Sequence, residues 1–140
     1  LVATGVGVAA APPIAGKTID GRELALRDLR GKPVVITLVL LVKHLSGEAV
    51  AYANWVERQG TRFRFLGFNA ADTPSRAKAF VRRYGWTWPS LQDPQRALSR
   101  RFGATYQPAF ILIDAKGRFV AGFQGAGSEK RWNALIARLR

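Results

Sequence analysis

At 140 residues and 48% hydrophobic content, the chain is long enough for one compact domain with a true core and too short for a second. Twenty-two Lys and Arg against nine Asp and Glu leave a formal charge of +13, which favours an anionic neighbour such as nucleic acid, a phospholipid surface or an acidic protein. With no cysteine anywhere, thiol-disulfide exchange, thiolate attack and thiolate metal ligation by this chain are excluded, and the redox compartment cannot be read from cysteine usage.

The basic charge is uneven. Residues 1–60 hold seven basic and five acidic side chains, while residues 61–140 hold fifteen and four, so the positive field belongs to the C-terminal half. The first ten residues, LVATGVGVAA, are small and apolar and look like the end of a signal segment or the outer end of a membrane anchor. Ten residues are too few to span a bilayer. We read residues 1–10 as an apolar tail or anchor remnant and 11–140 as the domain, and expect an extracytoplasmic or membrane-associated, periplasmic-side setting.

In chain order, KTIDGRELAL (17–26) places two short extended pieces about Asp20-Gly21, a pair that favours a tight hairpin turn. Val34 to Val42 is a nearly unbroken β-branched and leucine run, the composition of a central strand covered on both faces. Ser46 caps the next helix, which carries Val50, Asn54, Trp55 and Arg58 before Gly60 ends it. Arg62 to Asn69 alternates into a second strand. Thr73-Pro74 then starts a helix with Ala77, Phe80, Val81 and Tyr84 at helical spacing, ending at Gly85. Trp86 to Pro89 is an aromatic connector, and Asp93-Pro94 opens a short helix stopped by Gly103. Ala109 to Asp114 is a third core strand, paired antiparallel with Arg118 to Phe123 across the Ala115-Lys116-Gly117 turn. Ser128 caps a last helix with a stripe of Trp132, Leu135, Ile136 and Leu139. This succession predicts an α/β three-layer sandwich, a central mixed β-sheet flanked by helices with an N-terminal hairpin.

The DGRELALRDLRGKPVVI lead-in, the Phe102-Gly103 to Pro108 approach and the TYQPAFILIDAKGR strand and turn carry a resemblance. From about Ala11 to Leu139 the chain resembles the thioredoxin-like fold in its extracytoplasmic TlpA/ResA/DsbE-like thiol-disulfide oxidoreductase branch. The resemblance implies a redox dithiol where the first core strand meets the following helix. Counted from Gly31-Lys32, the ancestral dithiol positions fall on Lys43 and Ser46, within Val42-Lys43-His44-Leu45-Ser46. In such folds the helix N-terminus stabilises a thiolate; a lysine there meets the wrong end of the dipole and cannot exchange disulfides. Ser46 serves as well for a helix cap as for a relic of the second cysteine. The resemblance also implies that Pro108, in Tyr106-Gln107-Pro108, is cis and faces the dithiol position, with Gln107 able to pair with an extended peptide. His44, Gln107 and Pro108 are therefore the peptide-groove candidates, although the same proline has a purely structural use in positioning the strand after it.

Other chemistries fare worse. His44 is the only histidine, too few ligands for a metal site, and no cofactor is expected. His44 and Ser46 have no acid placed to orient the imidazole, and residues two apart on a starting helix do not face each other. A peroxiredoxin-type activity falls by the absence of a peroxidatic cysteine. No glycine-rich stretch has the strand-turn-helix context of a phosphate loop. Aromatics near arginines, as in Phe63 and Phe65 beside Arg62 and Arg64, suit packing better than single-stranded nucleic acid, so nucleic acid is the weaker partner expectation. The reading is a redox-inactive thioredoxin-like module acting as a binding or structural subunit, with no catalytic residues and no enzymatic activity expected. It would dock an acidic protein or an anionic membrane surface, within a larger assembly, through Arg82, Arg83, Arg96, Arg100 and Arg101. The alternative is a divergent member of a thiol-disulfide oxidoreductase line, called an oxidoreductase by homology alone.

Overall fold

The computed structural model describes residues 10–11, 13–39, 46–70, 73–104 and 108–139. The hairpin forms as the Asp20-Gly21 pair predicts. β1 (Ala15–Lys17) and β2 (Glu23–Ala25) pair antiparallel, with Lys17 opposite Glu23. Gly21 takes φ +86° in the turn, a conformation that disfavours a Cβ. A single 3-10 turn, Leu26–Leu29, follows and buries its two leucines.

The apolar run becomes β3 (Val34–Val39), the centre of a five-stranded sheet of order β5-β4-β3-β6-β7. Residues 40–42, the rest of the expected strand, lie outside the described residues. β4 (Arg64–Asn69) runs parallel to β3, β6 (Ala109–Ile113) antiparallel to it, and β7 (Phe119–Gln124) antiparallel to β6. The fifth strand was not read from the sequence: β5 (Ser90–Gln92) pairs parallel with β4, between the aromatic connector that ends at Pro89 and the turn that Asp93 opens. Three residues of mixed polarity carry no alternation signal. What makes them a strand is the neighbouring backbone: Gly67 donates to the Pro89 carbonyl at 2.9 Å and Ile19 donates to the Ser90 carbonyl at 2.9 Å. Gly67 also has no room for a side chain, since a Cβ there would stand 2.6 Å from the Ser90 hydroxyl oxygen.

Period-two alternation sorts side chains to two cores. Val34, Ile36, Leu38, Leu66 and Phe68 face the hairpin side, together with Leu98 of α3 (Ala97–Arg101) and Phe102. Val35, Phe65, Phe110 and Leu112 face α1 (Ser46–Arg58), α2 (Pro74–Tyr84) and α4 (Glu129–Ile136). Each fully buried leucine or isoleucine here contributes about 1.5–3 kcal/mol by leaving water, so the sheet needs both covers. The three-layer mixed architecture is the one expected from sequence.

The expected caps of α2 and α4 form, while Ser46, expected as the cap of α1, is its first residue. The Thr73 hydroxyl accepts from the Arg76 amide, Gly85 closes α2 in the left-handed region, and the Ser128 hydroxyl accepts from the Arg131 amide. In α1 the buried face is Ala49, Tyr52, Trp55 and Val56; of the residues singled out from sequence only Trp55 is inside, and Val50 is 45% exposed. Leu139 lies beyond the end of α4 but packs against the same cluster.

Candidate functional site

Parallel pairing brings the C-terminal ends of β3, β4 and β5 to one edge of the sheet, with Val39, Asn69 and Gln92 in register across it. β6 starts at that edge, because Ala109 pairs with Leu38. The first turn of α1 and Pro108 therefore meet at the same end of the sheet. Between them lies a cleft of about 10 Å³, enough for roughly one water, lined by Thr37, Glu48, Ala49, Tyr52 and Pro108 among others.

Two hydrogen bonds fix the walls of this cleft. The Pro108 carbonyl accepts from the Gly125 amide at 2.8 Å, and the Glu48 carboxylate accepts from the Gly127 amide at 2.9 Å. Both donors belong to the segment joining β7 to α4, which is thereby tied to Pro108 on one side and to α1 on the other. Burial pushes the Glu48 carboxyl above its ordinary value, partly offset by the Gly127 amide and the Arg131 charge. Below it sits Tyr52, 1% exposed, whose ring meets Trp55, Trp86, Trp88, Phe110 and Trp132 at centroid distances of 5.0–5.7 Å. Burial alone raises its phenol out of the range in which it ionises. The Tyr52 and Thr37 hydroxyls are buried without partners. This is a narrow, aromatic-floored cleft with one half-buried carboxyl, the two hydroxyls being sealed from water.

The sequence-predicted site residues fall unevenly. Lys43, His44 and Gln107 lie outside the described residues, and Ser46 opens α1 with only its backbone described. Pro108 is buried in the cleft wall. Arg82 and Arg83 are exposed on α2, with the Arg83 guanidinium 5.5 Å from the Tyr84 ring centre. Arg100 and Arg101 are exposed on α3; Arg100 donates to the Gln95 carbonyl and Arg101 to the Pro13 carbonyl at 2.9 Å. Arg96 is half-buried just before α3. Since α2 and α3 cover opposite faces of the sheet, these arginines divide between two layers. Glu48 and Tyr52 were not singled out from sequence. An acid in the first helical turn and an aromatic three residues after Ala49 are their only local signals.

Among the described residues no group of three or more His, Cys, Asp or Glu could hold a metal, and no helix is long and apolar enough to cross a membrane.

Comparison with known proteins agrees with this architecture. The chain is 21% identical over 131 residues to the thiol-disulfide oxidoreductase ResA of Bacillus thuringiensis (strain Al Hakam), covering 92% of this chain and 76% of that protein. It is 27% identical over 112 residues to ResA of Geobacillus thermodenitrificans (strain NG80-2), covering 77% and 63%. Among solved structures it is similar to a DsbF homologue from Corynebacterium diphtheriae, with a TM-score of 0.84, 22% identity and coverage of 99% and 92%. A secreted Mycobacterium tuberculosis disulfide oxidoreductase homologous to E. coli DsbE gives 0.78 at 21% identity, covering 90% and 96%. The model of the AhpC/TSA family matches residues 8–121. The chain therefore belongs to the AhpC/TSA family, in its TlpA/ResA/DsbE-like thioredoxin-fold form, and has no cysteine in it.

Proposed function

We propose that this protein is a redox-inactive thioredoxin-like binding subunit that docks an acidic partner through its arginine-rich C-terminal half. The observation that carries this reading is the absence of cysteine from the whole sequence of a thioredoxin-fold chain. Thiol-disulfide exchange proceeds through a thiolate attacking a disulfide sulfur, and no other side chain substitutes for it. Support for a retained binding role comes from the cleft, where Pro108, the first turn of α1 and the β7–α4 segment are still held together by hydrogen bonds. The preference for an acidic partner rests on fifteen basic against four acidic residues after position 60. An extracytoplasmic setting is supported by the apolar first ten residues and by the secreted M. tuberculosis relative.

The test is a pull-down of the native protein from membrane and soluble fractions at low and high salt, with insulin reduction measured in parallel. The expected result is a partner released as salt screens the arginines, with no reductase turnover. Turnover by the purified chain would refute the redox-inactive reading. Capture unaffected by salt would refute the arginine-mediated docking.

A further inference from the structure

Away from the Pro108 cleft, a larger groove of about 290 Å³ lies between β7 and α4, with Ala121, Gly122, Ala134 and Leu135 in its floor. Two alanines and a glycine leave room where longer side chains would fill it. The volume stands at the bottom of the range for small-molecule pockets, roughly 300–1,000 Å³, and so suits one apolar side chain. β7 is the last strand of the sheet, so the groove runs along the margin of the fold.

Both rims of the groove are basic. Arg131 and Arg138 line it, and both are exposed. They stand seven positions apart on α4 and the turn that continues it, where the Arg138 amide donates to the Leu135 carbonyl at 3.1 Å. At 1.5 Å per helical residue that separation is about 10 Å, the length of three residues of extended chain. Arg131 is already posed: its guanidinium lies 4.1 Å from the Phe123 ring centre and donates to the Ala126 carbonyl at 2.8 Å. Ring and carbonyl are neutral, so they fix the direction of the guanidinium without cancelling its charge. Among the described residues Arg131 forms no ion pair. The Glu48 carboxyl feels its charge, but as the smallest of three influences, and accepts instead from the Gly127 amide. An apolar floor between two cations calls for an occupant that is apolar at its centre and anionic on either side.

We propose that the β7–α4 groove docks an extended acidic peptide segment, with one apolar side chain on the floor and flanking carboxylates at Arg131 and Arg138. The inference rests on the acidic-partner reading above and gives it a surface separate from the arginines of α2 and α3. The test is isothermal titration calorimetry of the full chain with three capped peptides, Glu-Glu-Leu-Glu-Glu, Glu-Glu-Gly-Glu-Glu and Lys-Lys-Leu-Lys-Lys, and with phosphatidylglycerol vesicles. R131Q/R138Q removes both rims. R27Q/R76Q removes the same charge from exposed positions elsewhere, and A134L fills the floor while keeping both arginines and a good helix former. Thermal melts check each fold. The expected result is that the acidic leucine peptide binds about tenfold or more weakly to R131Q/R138Q and less than about threefold more weakly to R27Q/R76Q, since distant charges are screened at physiological salt. A134L is expected to reduce the leucine peptide to the affinity of the glycine peptide, and the lysine peptide is expected not to bind. Equal losses in the two double variants, or unchanged binding in A134L, would overturn the groove and leave the acidic-partner reading standing; that reading falls separately, on capture unaffected by salt. Binding of the vesicles with none of the peptides would overturn a peptide as the occupant.

Discussion

Replacing Gly127 by alanine tests whether the segment between β7 and α4 is as tightly held as its contacts indicate. A Cβ at this position would lie 2.5 Å from Nε1 of Trp132 and 2.7 Å from both Cε2 and Cζ2. The indole has little room to yield. Trp132 is 1% exposed and its ring meets those of Tyr52 at 5.0 Å and of Trp55 and Phe110 at 5.7 Å. If the ring is pushed, the overpacking costs about 1–3 kcal/mol. If the backbone moves away instead, the 2.9 Å bond from the Gly127 amide to Glu48 breaks, a loss of about 1.5–3 kcal/mol for a charged acceptor. Either route gives a destabilisation of about 1–3 kcal/mol, which for a chain of this length lowers Tm by roughly 3–12 °C. Urea unfolding followed by tryptophan fluorescence reads the change directly. A Gly127→Ala protein within about 0.5 kcal/mol of the parent would refute the reasoning, because surface substitutions of no structural consequence fall in that range.

Three further outcomes follow from the same geometry. Gly47→Ala meets nothing within 4 Å and lies inside α1, so it stabilises by about 0.5–1 kcal/mol in the same urea assay. Asp93→Ala removes the acceptor of the Leu98 and Ser99 amides and the Ser99 hydroxyl, and lowers stability by about 3 kcal/mol; the loss of α3 is read by amide hydrogen exchange at those two positions. Glu48 and Asp114 give opposite pH dependences. Burial raises Glu48, so the folded state holds its proton more tightly than the unfolded chain, and stability declines as pH rises above the ordinary carboxylate range. For Asp114 burial is outweighed by the Arg118 and Lys116 amides and the Arg118 guanidinium, which hold its carboxyl low; that stability is present above the ordinary range and lost as pH falls through it. Urea midpoints measured from about pH 3 to pH 8 show the first arm flattened in Glu48→Gln and the second in Asp114→Asn.

Much of the fold is written in short stretches of chain. VVITLV (34–39) specifies a strand covered on both faces, Asp20-Gly21 a hairpin, Thr73-Pro74 and Ser128 the starts of two helices, and Gly85 the end of one. In each case the signal and the structure it sets are only a few residues apart, because capping, turn geometry and side-chain alternation are local properties of the backbone. The absence of cysteine was equally plain, and no folding could supply the missing chemistry.

The tertiary structure decided what depends on distant neighbours. β5 is a strand because β4 lies beside it, and the glycine that admits Ser90 stands 23 positions earlier in the chain, at Gly67. Glu48 reaches the Gly127 amide across 79 residues, and the Trp55 indole reaches the Asn133 amide oxygen across 78. Tyr52 at the centre of the aromatic cluster has a sequence neighbourhood that would suit an exposed residue equally well. Whether a hydroxyl or a guanidinium meets water, a partner or nothing is fixed only when segments far apart in sequence pack against each other, and that packing leaves no mark on the few residues to either side.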